Sequence, residues 1–206
     1  GSASASYLYK RQKPFVVGEP SGLVTHRVRD IVDILDNVSG GGVIATNNLW
    51  GQRWSKLCVN AMANAVAGTT GLKSAEIREV KESRDVSIRI ASEVVSVGST
   101  FGVSIEPISD VPADMYINAL TDGAVMEEVE SILTSGARKV GIGRPSLAQD
   151  LMKGRRIEVD HLNGYVSSKG AEVGVSTPVN EAIRILANRV ASGELQQSIE
   201  NLKQIT

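Results

Sequence analysis

The sequence predicts a mainly α protein: an all-helical domain preceded by a short α/β segment. Three observations lead there. From about Asn47 onward, apolar residues recur at helical spacing in one segment after another. Before that point, two short apolar runs bracket one helix-spaced stretch, an order that reads β-α-β. Aromatic residues are only 4% of the chain, so the core must be aliphatic, packed from Val, Ile, Leu and Ala.

The elements follow in order. Pro14-Phe15-Val16-Val17-Gly18-Glu19 reads as a short strand entering a Glu19-Pro20-Ser21-Gly22 turn. Val28, Ile31, Val32 and Leu35 mark a helix over 25–37. Gly40-Gly41-Gly42 breaks it, and Val43-Ile44-Ala45 is a second strand. Asn47 or Asn48 caps a long helix to about Ala67, ended by Gly68-Thr69-Thr70-Gly71. A second long helix covers about 75–101, with Ile90, Val94 and Val97 on one face. A third covers 123–135, with Val125, Val129, Ile132 and Leu133 in register and Gly136 as its cap. Further helices start near Ser146 and near Glu158. Another starts at Thr177-Pro178, with Thr as cap and Pro at the first helical position. A last one, over 193–205, carries Leu195, Ile199 and Leu202. The expected layout is an α/β segment over 1–46 and a helical domain over 47–206, with 1–6 a cloning remnant or flexible end. With no Met at its start, the chain reads as the continuation of a longer gene product.

Composition excludes several classes. The 206 residues, 42% hydrophobic and 22% charged, suit a globular protein able to bury a core without staples. A net charge of -1 argues against a broad nucleic-acid surface. The lone Cys58 has no internal disulfide partner, which points to a cytoplasmic setting. No run of 18 apolar residues exists to span a membrane, and the opening Gly1-Ser2-Ala3-Ser4-Ala5-Ser6 lacks the regions of a signal peptide. No His/Cys/Asp/Glu set has metal-ligand spacing.

Chemistry first suggests itself at Lys56, Asn60 and Asn64. Steps of four keep these three on one helix face, drifting by roughly 40° per step. Their neighbours Leu57, Val59, Ala61, Met62, Ala63 and Val66 are apolar, so the helix reads as buried. A polar stripe on a buried helix costs free energy unless something pairs with it, and a polar ligand would do so. The plainer alternative is that both asparagines bond to neighbouring helices while Lys56 snorkels to solvent. A second segment, from Gly143 to Tyr165, is turn-rich and then amphipathic. Read alone, its Ser146 is a helix cap, and Glu158 and Asp160 are first-turn acids favoured by the helix dipole.

Together these segments resemble a known family. The pattern is Trp-x-Lys-x-x-x-Asn-x-x-x-Asn at Trp54, Lys56, Asn60 and Asn64. Next comes Ser-x-x-x-Asp at Ser146 and Asp150, then Gly-Arg-Arg-x-Glu-x-Asp-x-x-Asn-Gly from Gly154 through Glu158, Asp160, Asn163 and Gly164. Thr-Pro-x-Asn at Thr177, Pro178 and Asn180 completes it. This order is similar to the C-terminal domain of the ketopantoate reductase family. The Val17-Gly18-Glu19 strand end resembles the close of that family's nucleotide-binding domain. The resemblance implies a helical domain of the 6-phosphogluconate dehydrogenase C-terminal-like type after a remnant of a Rossmann domain. It implies NADPH-dependent reduction of a small 2-oxo acid, 2-dehydropantoate to pantoate, a step toward pantothenate. Lys56 is then the catalytic acid and Glu158 orients substrate and lysine. Asn60, Asn64 and Ser146 hydrogen-bond the substrate. A homodimer is a further expectation. His161 departs from the family, where an aromatic residue is usual. The 68–74 stretch lacks the extra asparagine that some members use. Both departures leave open a different 2-oxo acid. A separate alternative is a non-catalytic helical dimerisation or ligand-binding module on the same scaffold.

A dinucleotide site needs a Gly-x-Gly-x-x-Gly turn between strand and helix. The nearest approach, Gly141-Ile142-Gly143-Arg144-Pro145-Ser146, carries a proline and has serine in place of the third glycine. The cofactor is therefore expected in the intact enzyme and not on this chain alone. Arg155-Arg156 reads as a solvated pair or as a contact for a cofactor phosphate. Cys58 reads as a small buried filler, and His26 and His161 as surface residues.

Overall fold

A computed structural model describes residues 15–39, 41–140 and 143–205. The expected end at 1–6, Pro14 of the first strand, Gly40 of the glycine break and the Gly141-Ile142 pair lie outside the described residues. The chain divides into two compact units, residues 1–53 and 54–206.

The first unit is the expected β-α-β. Strand β1 (Val16–Val17) pairs in parallel with β2 (Ile44–Ala45), Val16 opposite Ile44 and Val17 opposite Ala45. Parallel pairing requires a crossover, which helix α1 (His26–Ser39) provides. Thr25 Oγ1 accepts from the Val28 amide at 3.4 Å and donates to Glu19 at 2.6 Å, joining the strand exit to the helix start. That hydrogen bond, with Arg27 alongside, holds the Glu19 carboxyl below its ordinary range. Gly18 is required by a close approach: a Cβ there would lie 2.8 Å from the carbonyl oxygen of Thr46.

Helix α2 (Leu49–Thr70) starts where Asn48 Oδ1 accepts from the Gly51 amide at 3.1 Å, as the capping pattern predicts. It stops at Gly71, whose φ of 81° closes the last turn. The single helix expected over 75–101 is two: α3 (Ser74–Glu79) and α4 (Lys81–Thr100), separated by Val80 in an extended conformation. The break is tolerated because α4 satisfies the carbonyls that α3 leaves open. Ser83 Oγ donates to Ile77 and Val80, and Arg84 donates to Arg78 and Glu79. Helix α4 is buried along much of its length, with Ile88, Ile90, Ala91, Val94 and Val97 fully enclosed.

Helix α5 (Ala113–Asn118), unforeseen in the sequence, follows a tight turn in which Ser109 and Asp110 both take positive φ. Buried Tyr116 braces that turn by donating to the Ile108 carbonyl at 3.0 Å. Helix α6 (Gly123–Ser135) has the predicted bounds, with Asp122 accepting from the amides of Ala124 and Val125. Gly136 does cap it, in a right-handed conformation. A Cβ there would lie 2.7 Å from the Arg78 guanidinium, which packs over this position.

Helices α7 (Ser146–Met152), α8 (Val159–Val173) and α9 (Pro178–Ala191) appear where expected. The last helix does not. Only a 3₁₀ turn over Ile199–Gln204 forms, because the segment's donors turn to the open carbonyls at the end of α2. Gln197 Nε2 donates to Gly68, and the Ser198 amide and Asn201 Nδ2 donate to Thr69. The second unit thus has one aliphatic core, with Trp54 and Tyr116 as its buried aromatics. Among the described residues no helix is long and apolar enough to cross a membrane.

Candidate functional site

Helix α2 carries the three candidate residues at graded depth: Lys56 is exposed, Asn60 is half-buried and Asn64 is 6% exposed. The grading follows from the drift of a four-residue step around the helix, which turns the stripe gradually inward. Trp54, two residues before Lys56, is buried against Gly98 of α4, where a Cβ would lie 2.8 Å from the indole. The same ring contacts Phe101 and Tyr165, with centroids 6.3 and 6.4 Å away. Trp54 therefore anchors the start of the stripe against α4 and α8.

Ser146 reaches the stripe from the first position of α7. Its Oγ donates to Asn64 Oδ1 at 3.4 Å. The preceding residues hold it there: the Gly143 carbonyl accepts from the Ser74 amide, and the Arg144 guanidinium donates to the Gly71 carbonyl at 2.6 Å. A cation at the C-terminal end of α2 also suits the helix dipole. Gly68 lets α7 approach closely, since a Cβ there would collide with the Leu147 side chain. Ser146 is the first residue of α7 rather than its cap; the cap position is Pro145.

Glu158 stands at the cap position of α8, exposed and making no capping hydrogen bond with its side chain. It forms no ion pair with Lys56 or another described cation. The structure therefore brings Asn64 and Ser146 into contact and places Lys56 and Asn60 on the same face. It leaves Glu158 on a separate helix.

The other polar residues of the two motifs are engaged within the protein. Asp160 accepts from Arg184 at 2.8 Å and from Asn188 at 3.1 Å, and the Arg184 hydrogen bond holds its carboxyl below the ordinary range. Asn163 and Asn180 are fully buried and bond to each other at 3.0 Å. Thr177 makes no capping bond; Glu93 of α4 caps α9 instead, accepting from the amides of Val179 and Asn180 at 2.9 Å each. Burial pushes the Glu93 carboxyl up despite these donors. No local pattern could have revealed this cap, because its acceptor lies 86 residues away in sequence. Cys58 is fully buried and its thiol is raised by desolvation, as suits a filler. Among the described residues, the side chains of Lys56, Asn60 and Glu158 have no hydrogen-bond or ion-pair partner, and Asn64 Nδ2 has none either. These groups remain open to a ligand. Among the described residues no group of three or more His, Cys, Asp or Glu could hold a metal ion.

Comparison with known proteins gives this arrangement a context. The sequence model of the family described as ketopantoate reductase PanE/ApbA C terminal matches residues 48–191. The chain belongs to this family. Lys56, Asn60, Asn64, Ser146 and Glu158 all fall inside the matched span. Among ketopantoate reductase relatives, the 2-dehydropantoate 2-reductase of Archaeoglobus fulgidus is 26% identical over 86% of this chain and 52% of its own length. That of Pyrobaculum aerophilum is 28% identical over 76% of this chain and 48% of its own. The chain spans about half the length of these relatives. Similar solved structures include D-mandelate dehydrogenase with NADH, at a TM-score of 0.68, 22% identity, and coverage of 86% of this chain and 55% of that one. A PanE/ApbA family ketopantoate reductase from Ralstonia eutropha JMP134 gives 0.64, 23%, 87% and 51%. A ketopantoate reductase from Staphylococcus aureus, described as dimeric, gives 0.59, 17%, 83% and 53%. At these identities the structural likeness speaks for the helical fold.

Proposed function

We propose that this chain is the substrate-binding and catalytic half of an NADPH-dependent 2-oxo acid reductase, converting 2-dehydropantoate to pantoate. The observation that carries the reading is the family match over 48–191, within which the unpartnered polar groups of α2 and α8 coincide with the residues the resemblance assigns to chemistry. Lys56 delivers the proton that the carbonyl oxygen must gain on reduction, and its ammonium stabilises the developing alkoxide. Asn60, Asn64 and Ser146 are neutral hydrogen-bonding groups. They suit the carboxylate and hydroxyl of such a substrate because they add no unpaired charge to the site. Glu158 orients the substrate and the lysine.

The described residues do not fit a dinucleotide. The loop nearest the required fingerprint is engaged within the protein, with Gly143 bonded to Ser74 and Arg144 to Gly71. Residues 1–46 are proposed as the tail of the domain that holds the nucleotide. A homodimer in the cytoplasm is proposed for the intact enzyme. A second reading, reduction of a different 2-oxo acid, is supported by exposed His161 on the first turn of α8, where the family usually has an aromatic residue.

The deciding assay is NADPH oxidation by the full-length gene product with ketopantoate and a panel of other 2-oxo acids. Fast turnover of ketopantoate is expected. Turnover of another acid alone would keep the mechanism and change the substrate. No turnover of any would overturn the reductase reading in favour of a non-catalytic binding module.

A further inference from the structure

Asn163 and Asn180, both fully buried, belong to a hydrogen-bonded relay that crosses four helices. Glu93 on α4 accepts from Asn180 Nδ2 on α9 at 2.7 Å, and that same Nδ2 lies 3.3 Å from the Ile90 carbonyl. Asn180 Oδ1 accepts from Asn163 Nδ2 on α8 at 3.0 Å. Asn163 Nδ2 also donates to the Ala61 carbonyl on α2 at 3.3 Å. The relay ends on the helix that carries Lys56, Asn60 and Asn64, at the residue immediately after Asn60.

We infer that Asn163 is a positioning residue: it sets the register of α8, and with it Glu158, along the polar stripe of α2. The inference rests on the reductase reading of that stripe. Glu158 and Lys56 sit on different helices with no direct bond between them, so the relation of the two helices sets their separation. Asn163 lies five residues beyond Glu158 on α8, and its bond to Ala61 ties α8 to α2 directly. The neighbouring inward residues of α8, Val159 and Val166, are fully buried aliphatics. Aliphatic contacts are non-directional and tolerate sliding, whereas a hydrogen bond is specific in distance and angle.

Stability alone does not account for the amide. Ala61 is a mid-helix residue, whose carbonyl already accepts within the helix ladder. Asn163 Oδ1 is buried without a hydrogen-bond partner, which costs stability. An apolar side chain of similar volume would fill the same place and forgo only the donor to Asn180 Oδ1. Retaining an amide here fits the use of a buried polar residue to fix register.

The test uses the full-length gene product with its preferred 2-oxo acid and NADPH, comparing the parent with Asn163→Leu and Asn163→Ala. Asn163→Leu fills the space but removes the donor to Asn180 Oδ1, so it is expected to melt somewhat below the parent and above Asn163→Ala. Its kcat should fall about tenfold or more, since a misplacement of about 1 Å can cost on the order of a hundredfold, while KM changes less. Asn163→Ala should lose turnover per folded molecule to the same extent even though its cavity lowers the melting temperature. Leu202→Ala, a core truncation outside the relay, should melt earlier and keep its kcat. The positioning role is overturned if both Asn163 variants keep kcat within about twofold of the parent while Lys56→Ala abolishes turnover. A parent that reduces no 2-oxo acid overturns the reductase reading itself, and this inference with it.

Discussion

Two sets of polar residues lie on the buried helices of the second unit, and they differ in what they bond to. On α8 and α9, Asp160, Asn163 and Asn180 are engaged by Arg184, Asn188, Glu93 and main-chain carbonyls. On α2, Lys56 and Asn60 have no partner among the described residues, and Asn64 uses only its carbonyl oxygen, to receive Ser146. Both sets occur in the same family-like motifs, and each includes buried asparagines: Asn64 in one, Asn163 and Asn180 in the other. The difference teaches that a polar residue on a buried helix marks a candidate site only when the fold leaves it unpaired. When the fold pairs it, the residue is part of the architecture.

Substitutions can break this contrast directly. The largest effect is expected from Lys56→Ala. Loss of the proposed proton donor and alkoxide stabiliser should reduce kcat/KM by roughly a thousandfold. The melting temperature should hardly move, because exposed substitutions away from such features usually stay within about 0.5 kcal/mol. Asn180→Ala should do the opposite in kind. It strips Glu93 and Asn163 of a buried partner and should cost about 2–3 kcal/mol in denaturant unfolding. Equal stability in that variant would show that the relay is dispensable to the fold.

Smaller effects sharpen the comparison. Ser146→Ala should weaken substrate binding by about fivefold in KM, the scale of one net hydrogen bond of about 1 kcal/mol. Arg144→Ala, which frees the loop from Gly71, should raise KM in the same direction by displacing Ser146. An unchanged KM in both would remove Ser146 from the site. The smallest effect concerns pH. The Asp160 carboxyl is lowered by Arg184, so the stability it contributes is present above the unfolded pKa of about 3.9 and is lost as pH falls through the lower folded value. Melting curves below about pH 4 should therefore fall more steeply for the parent than for Asp160→Asn. Parallel curves would show that this pair is screened.

The ordering of elements was legible because it rests on local signals. Asp122 and Gly136 bound α6, Asn48 caps α2, and the glycine at 71 stops it, each through bonds to residues within a few positions. The break at Val80, the short α5 and the loss of the last helix were not legible. Each depends on side-chain hydrogen bonds that periodicity does not encode: Ser83 and Arg84 beyond Val80, Tyr116 beneath the 108–111 turn, and the tail's own donors directed at Gly68 and Thr69. The start of α5 had one sequence signal, Pro112 just before it.

By itself, the sequence determined the helical class, the β-α-β opening, the aliphatic core and the membership of the ketopantoate reductase family. These follow from periodicity, composition and motif order, which are properties of the chain read in line. Only the tertiary structure decided that Ser146 meets Asn64 across 82 positions, that Glu93 and not Thr177 caps α9, and that Asn163 and Asp160 are engaged while Glu158 is open. The physical reason is that a polar group's role depends on what pairs with it, and in a helical protein those partners arrive from other helices at separations that no local pattern encodes.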